Sequence, residues 1–149
     1  MKPMNEKKGL LIIEDNFKLH TQLKKTLDDA FRLFEFDNLD GVEATLNNPR
    51  NKIDLIIVNY YSNEKQGIPL MKILDKVGCE NIPVIANIGE YSLEKEQEAL
   101  AAGALSIISV PYKASTIKMR VENAMKLNDE HRSRKEKVKG HIYDNREDF

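Results

Sequence analysis

Short, continuous apolar runs alternate along this chain with stretches of mixed polarity. Four runs, at 10–13, 53–58, 83–88 and 105–110, are largely apolar and lack the regular polar alternation of a half-exposed strand. Such runs are typical of strands buried on both faces of a parallel sheet. A fifth segment, 31–36, interleaves apolar with charged residues. It is predicted to be an edge strand.

Helical spacing fills the intervals between these runs. The interval after the first strand places four side chains at spacings of three and four, namely Phe17, His20, Leu23 and Leu27. This spacing predicts one face of an amphipathic helix. Helix-boundary residues support further helices, since Gly78 follows one periodic segment and Ser92 precedes another. The strand and helix patterns therefore alternate five times.

Five consecutive β-α units predict a doubly wound α/β fold. Its five-stranded parallel sheet would lie between two layers of helices, as a three-layer sandwich with right-handed crossovers. Ligands of such sheets bind outside the carboxyl ends of the strands. The residues that directly follow each strand are therefore the ones to inspect for function.

The 149 residues suit one domain of ordinary size. The predicted domain spans 10–127, preceded by a polar tail at 1–9. The apolar periodicity ends near 127, and 131–139 is rich in charge. We therefore predict that 128–149 is a helical extension or a linker.

Charge and cysteine content narrow the function classes. The formal net charge is −1, which argues against bulk attraction to nucleic acid or to an anionic membrane. No apolar stretch reaches membrane-spanning length. The single cysteine, Cys79, excludes a disulfide within the chain and suits a reducing compartment. We therefore expect a cytoplasmic protein without nucleic-acid or membrane partners.

Polar residues follow the first and third strands, and a proline loop follows the fifth. The residues at the strand ends are Glu14 and Asp15, Asn59, Ile88, Val110 and Pro111. In order and spacing, these positions and the strands before them resemble the receiver domain of bacterial response regulators. The resemblance covers roughly 10–127 and implies the flavodoxin-like version of the predicted fold.

The resemblance also shows which residues are missing. In that family an aspartate after the third strand accepts a phosphoryl group, a hydroxyl residue follows the fourth strand, and a lysine follows the fifth. Here those positions hold Asn59, Ile88 and Val110. An amide is a poor nucleophile, and neither aliphatic side chain can bind a phosphate. The resemblance therefore implies a degenerate pseudo-receiver with no catalytic residues, which is not an enzyme.

The same comparison assigns roles to neighbouring positions. Glu14 and Asp15 match the family's Mg²⁺-binding acids, and the Tyr61 carbonyl is a further candidate ligand. Without the third carboxylate, we expect no required cofactor and at most weak Mg²⁺ binding. Pro111 is the expected cis-proline, and Ile107 replaces the family's aromatic switch residue.

Neighbouring side chains offer weak substitutes for the missing groups. Lys113 lies near the lysine position, while Asn87 and Ser92 flank the hydroxyl position. Further hydroxyls follow the acceptor position at Tyr60, Tyr61 and Ser62. We do not expect loop geometry to replace three residues at once.

The leading hypothesis is a signalling module that acts by phosphorylation-independent contact with another protein. The resemblance places the partner surface on the fourth helix, fifth strand and fifth helix, with charged residues at Glu94, Glu98, Lys113, Lys118 and Arg120. The partner would be a signalling protein, an output domain or a second copy of the chain. Two alternatives remain: an atypical receiver still phosphorylated or cation-regulated in a histidine-kinase pathway, and a small-ligand site in the former phosphate pocket, made more apolar by Ile88 and Val110.

Overall fold

The computed structural model describes residues 7–61 and 67–140, with side chains through 127. Five strands and five helices alternate along it. In chain order they are β1 (Lys8–Ile13), α1 (Phe17–Leu27), β2 (Phe31–Phe36), α2 (Val42–Asn47), β3 (Ile53–Asn59), α3 (Gly67–Val77), β4 (Val84–Asn87), α4 (Leu93–Ala101), β5 (Ser106–Ile108) and α5 (Ala114–Gly140).

All five strands are parallel and lie in the order β2-β1-β3-β4-β5. β1 pairs with both β2 and β3, so the strand order reverses beside β1. Crevices for ligands form at such a reversal, outside the carboxyl ends of the strands. The predicted flavodoxin-like α/β fold is confirmed.

The sheet is covered on both faces, which explains the continuous apolar runs. Residues 53–58 of β3 are all buried. Alternate side chains enter two separate cores, because successive residues of a strand point to opposite faces. One core packs against α2, α3 and α4, and the other packs against α1 and α5.

β2 lies at the sheet edge, as its mixed pattern predicts. Its residues are half-buried apart from the exposed Glu35. The other edge strand is β5, with only three residues. Because α4 and α5 both contact β5, the surface at this edge is formed by two helices and a short strand.

The predicted apolar face of α1 is wrong at its first residue. Asn16 caps the helix as expected, with its Oδ1 accepting from the Leu19 N–H at 3.0 Å. The buried face consists of Leu19, Leu23 and Leu27, whereas Phe17 is 83% exposed. Residues two apart are about 200° apart around an α-helix, so Phe17 faces away from the position of Leu19.

The first strand begins earlier than predicted, whereas the C-terminal extension begins as a helix, as one of the two predicted forms. β1 begins at Lys8, inside the predicted tail 1–9. Gly9 belongs to the sheet because it pairs with Arg32 of β2 and Ile53 of β3, and its N–H also donates to the buried Asp54 Oδ2 at 2.9 Å. At the other end, α5 continues to Gly140, so the described part of the predicted extension is helical.

Residues 1–6 and 141–149 of the predicted terminal segments lie outside the described residues. Within the described chain, no helix combines the length and the apolar character that crossing a bilayer requires.

Two alanine substitutions in α1 test the corrected helix face. We expect Leu23→Ala to lower the free energy of unfolding by about 2–5 kcal/mol, because it leaves a cavity in the core. Phe17→Ala is expected to cost less than about 0.5 kcal/mol, as a surface change. Urea denaturation of both variants measures the difference. Equal losses would place Phe17 in the core.

Candidate functional site

Three polar side chains converge at the carboxyl ends of β1, β3 and β4. They are Glu14, Asn59 and Asn87. Each of the three lies two residues after a buried isoleucine of the core that packs against α1 and α5. Residues two apart in a strand share a face, so all three lie on that side of the sheet. The alternation of strand residues therefore places all three above the same core.

The buried Glu14 carboxylate is the centre of this cluster, with only 1% of the residue exposed. Its Oε2 accepts from the Asn59 Nδ2 at 2.6 Å and from the Asn16 N–H at 3.1 Å. Its Oε1 accepts from the Asn87 Nδ2 at 3.1 Å. Both amide orientations follow from chemistry, because an ionised carboxylate only accepts and only the amide nitrogen can donate.

Asn59 also connects the two acids of the first loop. Its Nδ2 lies 3.3 Å from the Asp15 Oδ1, in addition to its bond to Glu14. One neutral amide thus donates to both carboxylates. A divalent cation binding this pair would compete with that amide for the same oxygens.

The hydrogen-bond network continues across the sheet to the loop after β5. The Asn87 Oδ1 accepts from the Tyr112 hydroxyl at 2.7 Å and from the Gly89 N–H at 3.0 Å. The Tyr112 carbonyl accepts from the Gln22 Nε2 at 2.9 Å. Three strand ends, α1 and the β5–α5 loop are therefore joined through side chains.

The electrostatics of the cluster disfavour additional negative charge. Burial raises the pKa of Glu14, and the charge of Asp15 adds to this shift. Hydrogen bonds from Asn59, Asn16 and Asn87 oppose it. Burial also raises the pKa of the nearby Tyr112 hydroxyl. The amides therefore stabilise a carboxylate that its surroundings would otherwise tend to protonate.

An open cleft of about 520 Å³ lies above the cluster. Its lining is mostly polar and consists of Asp15, Asn16, Lys18, Leu19, Gln22, Asn59, Tyr61, Asn87, Gly89 and Tyr112. The expectation that Ile88 and Val110 make this pocket apolar is wrong, because neither lines it. Ile88 is 1% exposed and packs in the opposite core. Val110 is exposed and lines a separate cavity.

The reason for the Ile88 error is strand alternation. Ile85 and Asn87 point toward α1 and α5, whereas Val84, Ala86 and Ile88 point toward α2, α3 and α4. The side chain that β4 presents to the cleft is therefore Asn87. Neither residue carries the hydroxyl that the resemblance assigns to this strand end.

The remaining positions from the resemblance are distributed around the cleft. The Val110–Pro111 peptide bond is cis, as the resemblance implies. Ile107 is buried in the core beneath α4. Lys113 lines the cavity that also contains Val110, not the cleft above Asn59. The lysine position is thus not filled by Lys113.

Two of the candidate hydroxyl substitutes, Ser92 and Tyr61, are hydrogen-bonded elsewhere. Ser92 caps α4, its Oγ accepting from the Lys95 N–H at 3.1 Å. Tyr60 is buried in the core. The Tyr61 hydroxyl donates to the Lys95 carbonyl at 3.3 Å, and burial together with the nearby Glu98 raises its pKa to about 12. Ser62 lies outside the described residues.

A Mg²⁺ ion does not fit the cluster in this arrangement. Both oxygens of Glu14 accept hydrogen bonds from amides, and Asn59 directs a donor, not an oxygen, at the acid pair. Across the described residues, no group of three His, Cys, Asp or Glu side chains could hold a metal ion. Tyr61 lines the cleft with its side chain directed toward α4.

Sequence reasoning missed part of the polar lining. Lys18, Gln22 and Tyr112 were not among the candidate site residues, and Asn87 was noted only as a neighbour of Ile88. The sequence did contain a signal for Asn87. It lies two residues after the buried Ile85, and alternate residues of a strand share a face, so it belongs to the same face as Asn59. Lys18 and Gln22 are four apart on α1, so they share a side of that helix.

No protein-family model matches the chain. Curated relatives are similar to it in sequence. "Two-component response regulator ARR3" of Arabidopsis thaliana is 27% identical over 109 residues, which are 72% of this chain and 47% of the relative. "Transcriptional regulatory protein CiaR" of Streptococcus pneumoniae is 26% identical over 117 residues, 78% of this chain and 51% of the relative. The chain therefore spans about half the length of these relatives.

Solved structures share the fold. NtrX from Brucella abortus superposes with a TM-score of 0.77 at 19% identity, over 89% of this chain and 29% of NtrX. The receiver domain of the Francisella response regulator 1452 gives a TM-score of 0.69 at 23% identity, over 80% of this chain and 97% of that domain. Together with the curated response regulators, these neighbours confirm the prediction of a receiver-like chain.

Replacement of Asn59 by aspartate tests the role of the amide. Asn59→Asp removes the donor to Glu14 and Asp15 and adds a third carboxylate, so we expect the free energy of unfolding to fall by about 1–3 kcal/mol in EDTA. Mg²⁺ is then expected to raise the melting temperature of this variant, because three acids can bind a hard cation.

The wild type and Asn59→Ala are the matched controls. Asn59→Ala removes the donor without adding charge, so Mg²⁺ should not restore its melting temperature. The wild type should also show no response to Mg²⁺ at the same ionic strength. A Mg²⁺ response of the wild type equal to that of Asn59→Asp would contradict the assigned role of the amide.

Proposed function

We propose that the chain is a receiver-type signalling module that takes up no phosphoryl group and acts through contacts with another protein. One observation carries the proposal. The side chain at the acceptor position is an amide, and it donates to both Glu14 and Asp15. The residue that would receive a phosphoryl group in a receiver is here the donor that holds the acids together.

The chemistry of phosphoryl uptake supports this reading. Formation of an acyl phosphate needs a carboxylate oxygen to attack the phosphorus while the leaving group departs. An amide nitrogen that donates two hydrogen bonds has no comparable lone pair to offer. The cleft also carries the Asp15 carboxylate, and its one lysine, Lys18, comes from α1. A phosphoryl group would therefore face the Asp15 carboxylate with Lys18 as the one lysine of the cleft, and without a lysine after β5 to balance its charge.

Under this proposal the chain is not an enzyme and requires no cofactor. Its location would be cytoplasmic, where the kinases and output domains of two-component pathways act. The response-regulator relatives support a signalling partner of this kind. Which partner binds is then decided by the surface and not by the cleft.

The surface built from α4, β5 and α5 is the proposed partner face. Most of the exposed large apolar side chains of the described chain lie in or beside these elements: Tyr91, Leu93, Leu100, Leu105, Val110, Met119 and Leu127. A contiguous apolar patch on a surface marks an interaction site, and these side chains are the candidates for such a patch. Glu94 and Glu98 lie exposed on α4, and Lys113 and Lys118 lie exposed at the start of α5.

These charges favour a second copy of the chain as one partner. In a two-fold arrangement, the acidic α4 of one copy would face the basic start of α5 in the other. A response-regulator output domain or another signalling protein is the alternative partner for the same face.

Small-ligand binding is a second candidate function. The observation that favours it is the open, polar cleft of about 520 Å³, which Ile88 does not fill. Its amides, hydroxyl and lysine suit a polar ligand. Thermal stabilisation by such a ligand, lost in Gln22→Ala, would support it.

Intact mass after incubation with Mg²⁺ and acetyl phosphate tests the leading proposal. We expect no added phosphoryl group on the wild type, because Asn59 cannot form the acyl phosphate. Asn59→Asp is run beside it to show whether the acceptor alone is limiting. A phosphorylated wild type would mean that another side chain accepts the group, and it would support the atypical-receiver alternative.

Charge reversal tests the pairing of two copies. Sedimentation velocity over a range of concentrations should show reversible dimers of the wild type. Glu98→Lys is expected to weaken them by about tenfold, since it places like charges together across the interface. Asp29→Lys, in the exposed loop after α1, is the matched control and should leave association unchanged. A monomeric wild type at all concentrations would exclude the second copy as the partner.

A further inference from the structure

The loop between β4 and α4, residues 88–92, turns beside the cleft at Gly89. The φ of Gly89 is +69°, a left-handed conformation that glycine adopts without strain. Its carbonyl accepts from the Val110 N–H at 2.8 Å. The carbonyls before and after it, of Ile88 and Glu90, both lie 3.4 Å from the Lys95 Nζ. One side chain of α4 therefore reaches back to the loop that leads into its own helix.

The Lys95 ammonium also meets an aromatic ring. It lies over Tyr61, 5.5 Å from the ring centroid, and the attraction between a cation and a ring face acts within about 6 Å. Two carbonyl oxygens and a ring face suit an ammonium, which only donates. Because Tyr61 follows β3, this half-buried side chain contacts the ends of two neighbouring strands.

The backbone of Lys95 is held by the same surroundings. Its carbonyl accepts from the Tyr61 hydroxyl at 3.3 Å, and its N–H donates to the Ser92 Oγ at 3.1 Å. Burial and the nearby Glu98 raise the pKa of Tyr61 to about 12, so the hydroxyl remains a donor at neutral pH. The N–H, the carbonyl and the ammonium of Lys95 therefore all contribute to fixing the first turn of α4.

Lys76 provides a contrast within the same chain. Its Nζ lies 3.2 Å from the Glu43 carboxylate, and both side chains are largely exposed. Such surface pairs contribute little to stability, because both partners are mobile and hydrated. Lys95 instead contacts backbone carbonyls, whose position is the position of the loop itself. Its contacts therefore restrain the course of the main chain between β4 and α4.

We propose that Lys95 fastens the β4–α4 loop to the first turn of α4 and to Tyr61, and so fixes this end of the partner face without a bound ligand. In a receiver, a hydroxyl residue after the fourth strand would bind the phosphoryl group. Ile88 offers only its carbonyl there, and Lys95 contacts it. Gly89 and Tyr61 line the cleft, so Lys95 connects the cleft with α4. The use of this face rests on the proposed function, whereas the contacts of Lys95 do not depend on it.

Amide hydrogen exchange of the full chain, followed residue by residue by NMR without Mg²⁺ or a phosphodonor, tests the proposal. Lys95→Met removes the ammonium and keeps an unbranched side chain that suits a helix. We expect exchange at the Gly89 and Lys95 amides to become about tenfold faster or more, because the loop opens locally more often. The Thr45 amide, in α2, should keep its rate, since its local opening does not involve Lys95.

Further variants separate the charge of Lys95 from its packing. Lys95→Arg keeps a cation that can reach carbonyls and a ring, so exchange should stay within about threefold of the wild type. Tyr61→Leu removes the ring and the hydroxyl and should accelerate the Gly89 and Lys95 amides. Lys126→Met, which removes an exposed lysine of α5, is the matched control and should change neither.

Two results would overturn the role of Lys95. One is wild-type exchange in Lys95→Met, which would mean that the loop is held without the ammonium. The other is equal acceleration in Lys95→Met and Lys95→Arg, which would mean that the cation is not the group responsible.

Sedimentation velocity of the same variants keeps this role distinct from the proposed function. We expect Lys95→Met to weaken association of two copies by about tenfold, because ordering a loosened α4 opposes binding. Lys95→Arg should associate as the wild type does. A monomeric wild type would reject the pairing of copies, and the exchange rates would still decide the role of Lys95. Unchanged association of Lys95→Met, beside faster exchange, would overturn the link between Lys95 and the partner face.

Discussion

The buried carboxylate of Glu14 is the constraint on which the upper edge of this sheet depends. A carboxylate that is 1% exposed needs hydrogen-bond donors or a cation, because burial without either is strongly unfavourable. The chain supplies donors from two other strands, through Asn59 and Asn87. One charge and two amides therefore link the ends of β1, β3 and β4, which backbone pairing already places side by side. Their geometry follows from satisfying that charge internally.

The hydrogen bonds from Asn59 and Asn87 to Glu14 are consistent with several differences between this chain and a typical receiver. Because Asn59 donates to both acids, the pair is hydrogen-bonded without a bound cation. Under the proposal that no phosphoryl group is taken up, a lysine after β5 would have no anion to neutralise, and Val110 occupies that position exposed to solvent. The Tyr112 hydroxyl, which donates to Asn87, extends the network instead. The degenerate positions are thus mutually consistent.

The fold was predictable because the burial of apolar side chains, its dominant stabilising contribution, is visible in the hydrophobic pattern of the sequence. Burial on both faces removes alternation from β1, β3 and β4, as is typical of the parallel sheets of α/β proteins. The side on which a residue lies was harder to predict. Phe17 satisfied the helical spacing but begins the helix on its exposed side. Ile88 satisfied the family spacing, whereas strand parity directs it into the core and presents Asn87 to the cleft.

Packing between elements distant in sequence decided what the pattern could not. Tyr112 donates to Asn87, and Gln22 donates to the loop after β5. The local spacing of apolar and polar residues predicts neither contact. These contacts form between segments that are 25 and 90 residues apart. A single sequence carries no direct record of them. The polar character of the cleft therefore emerged only from the folded chain.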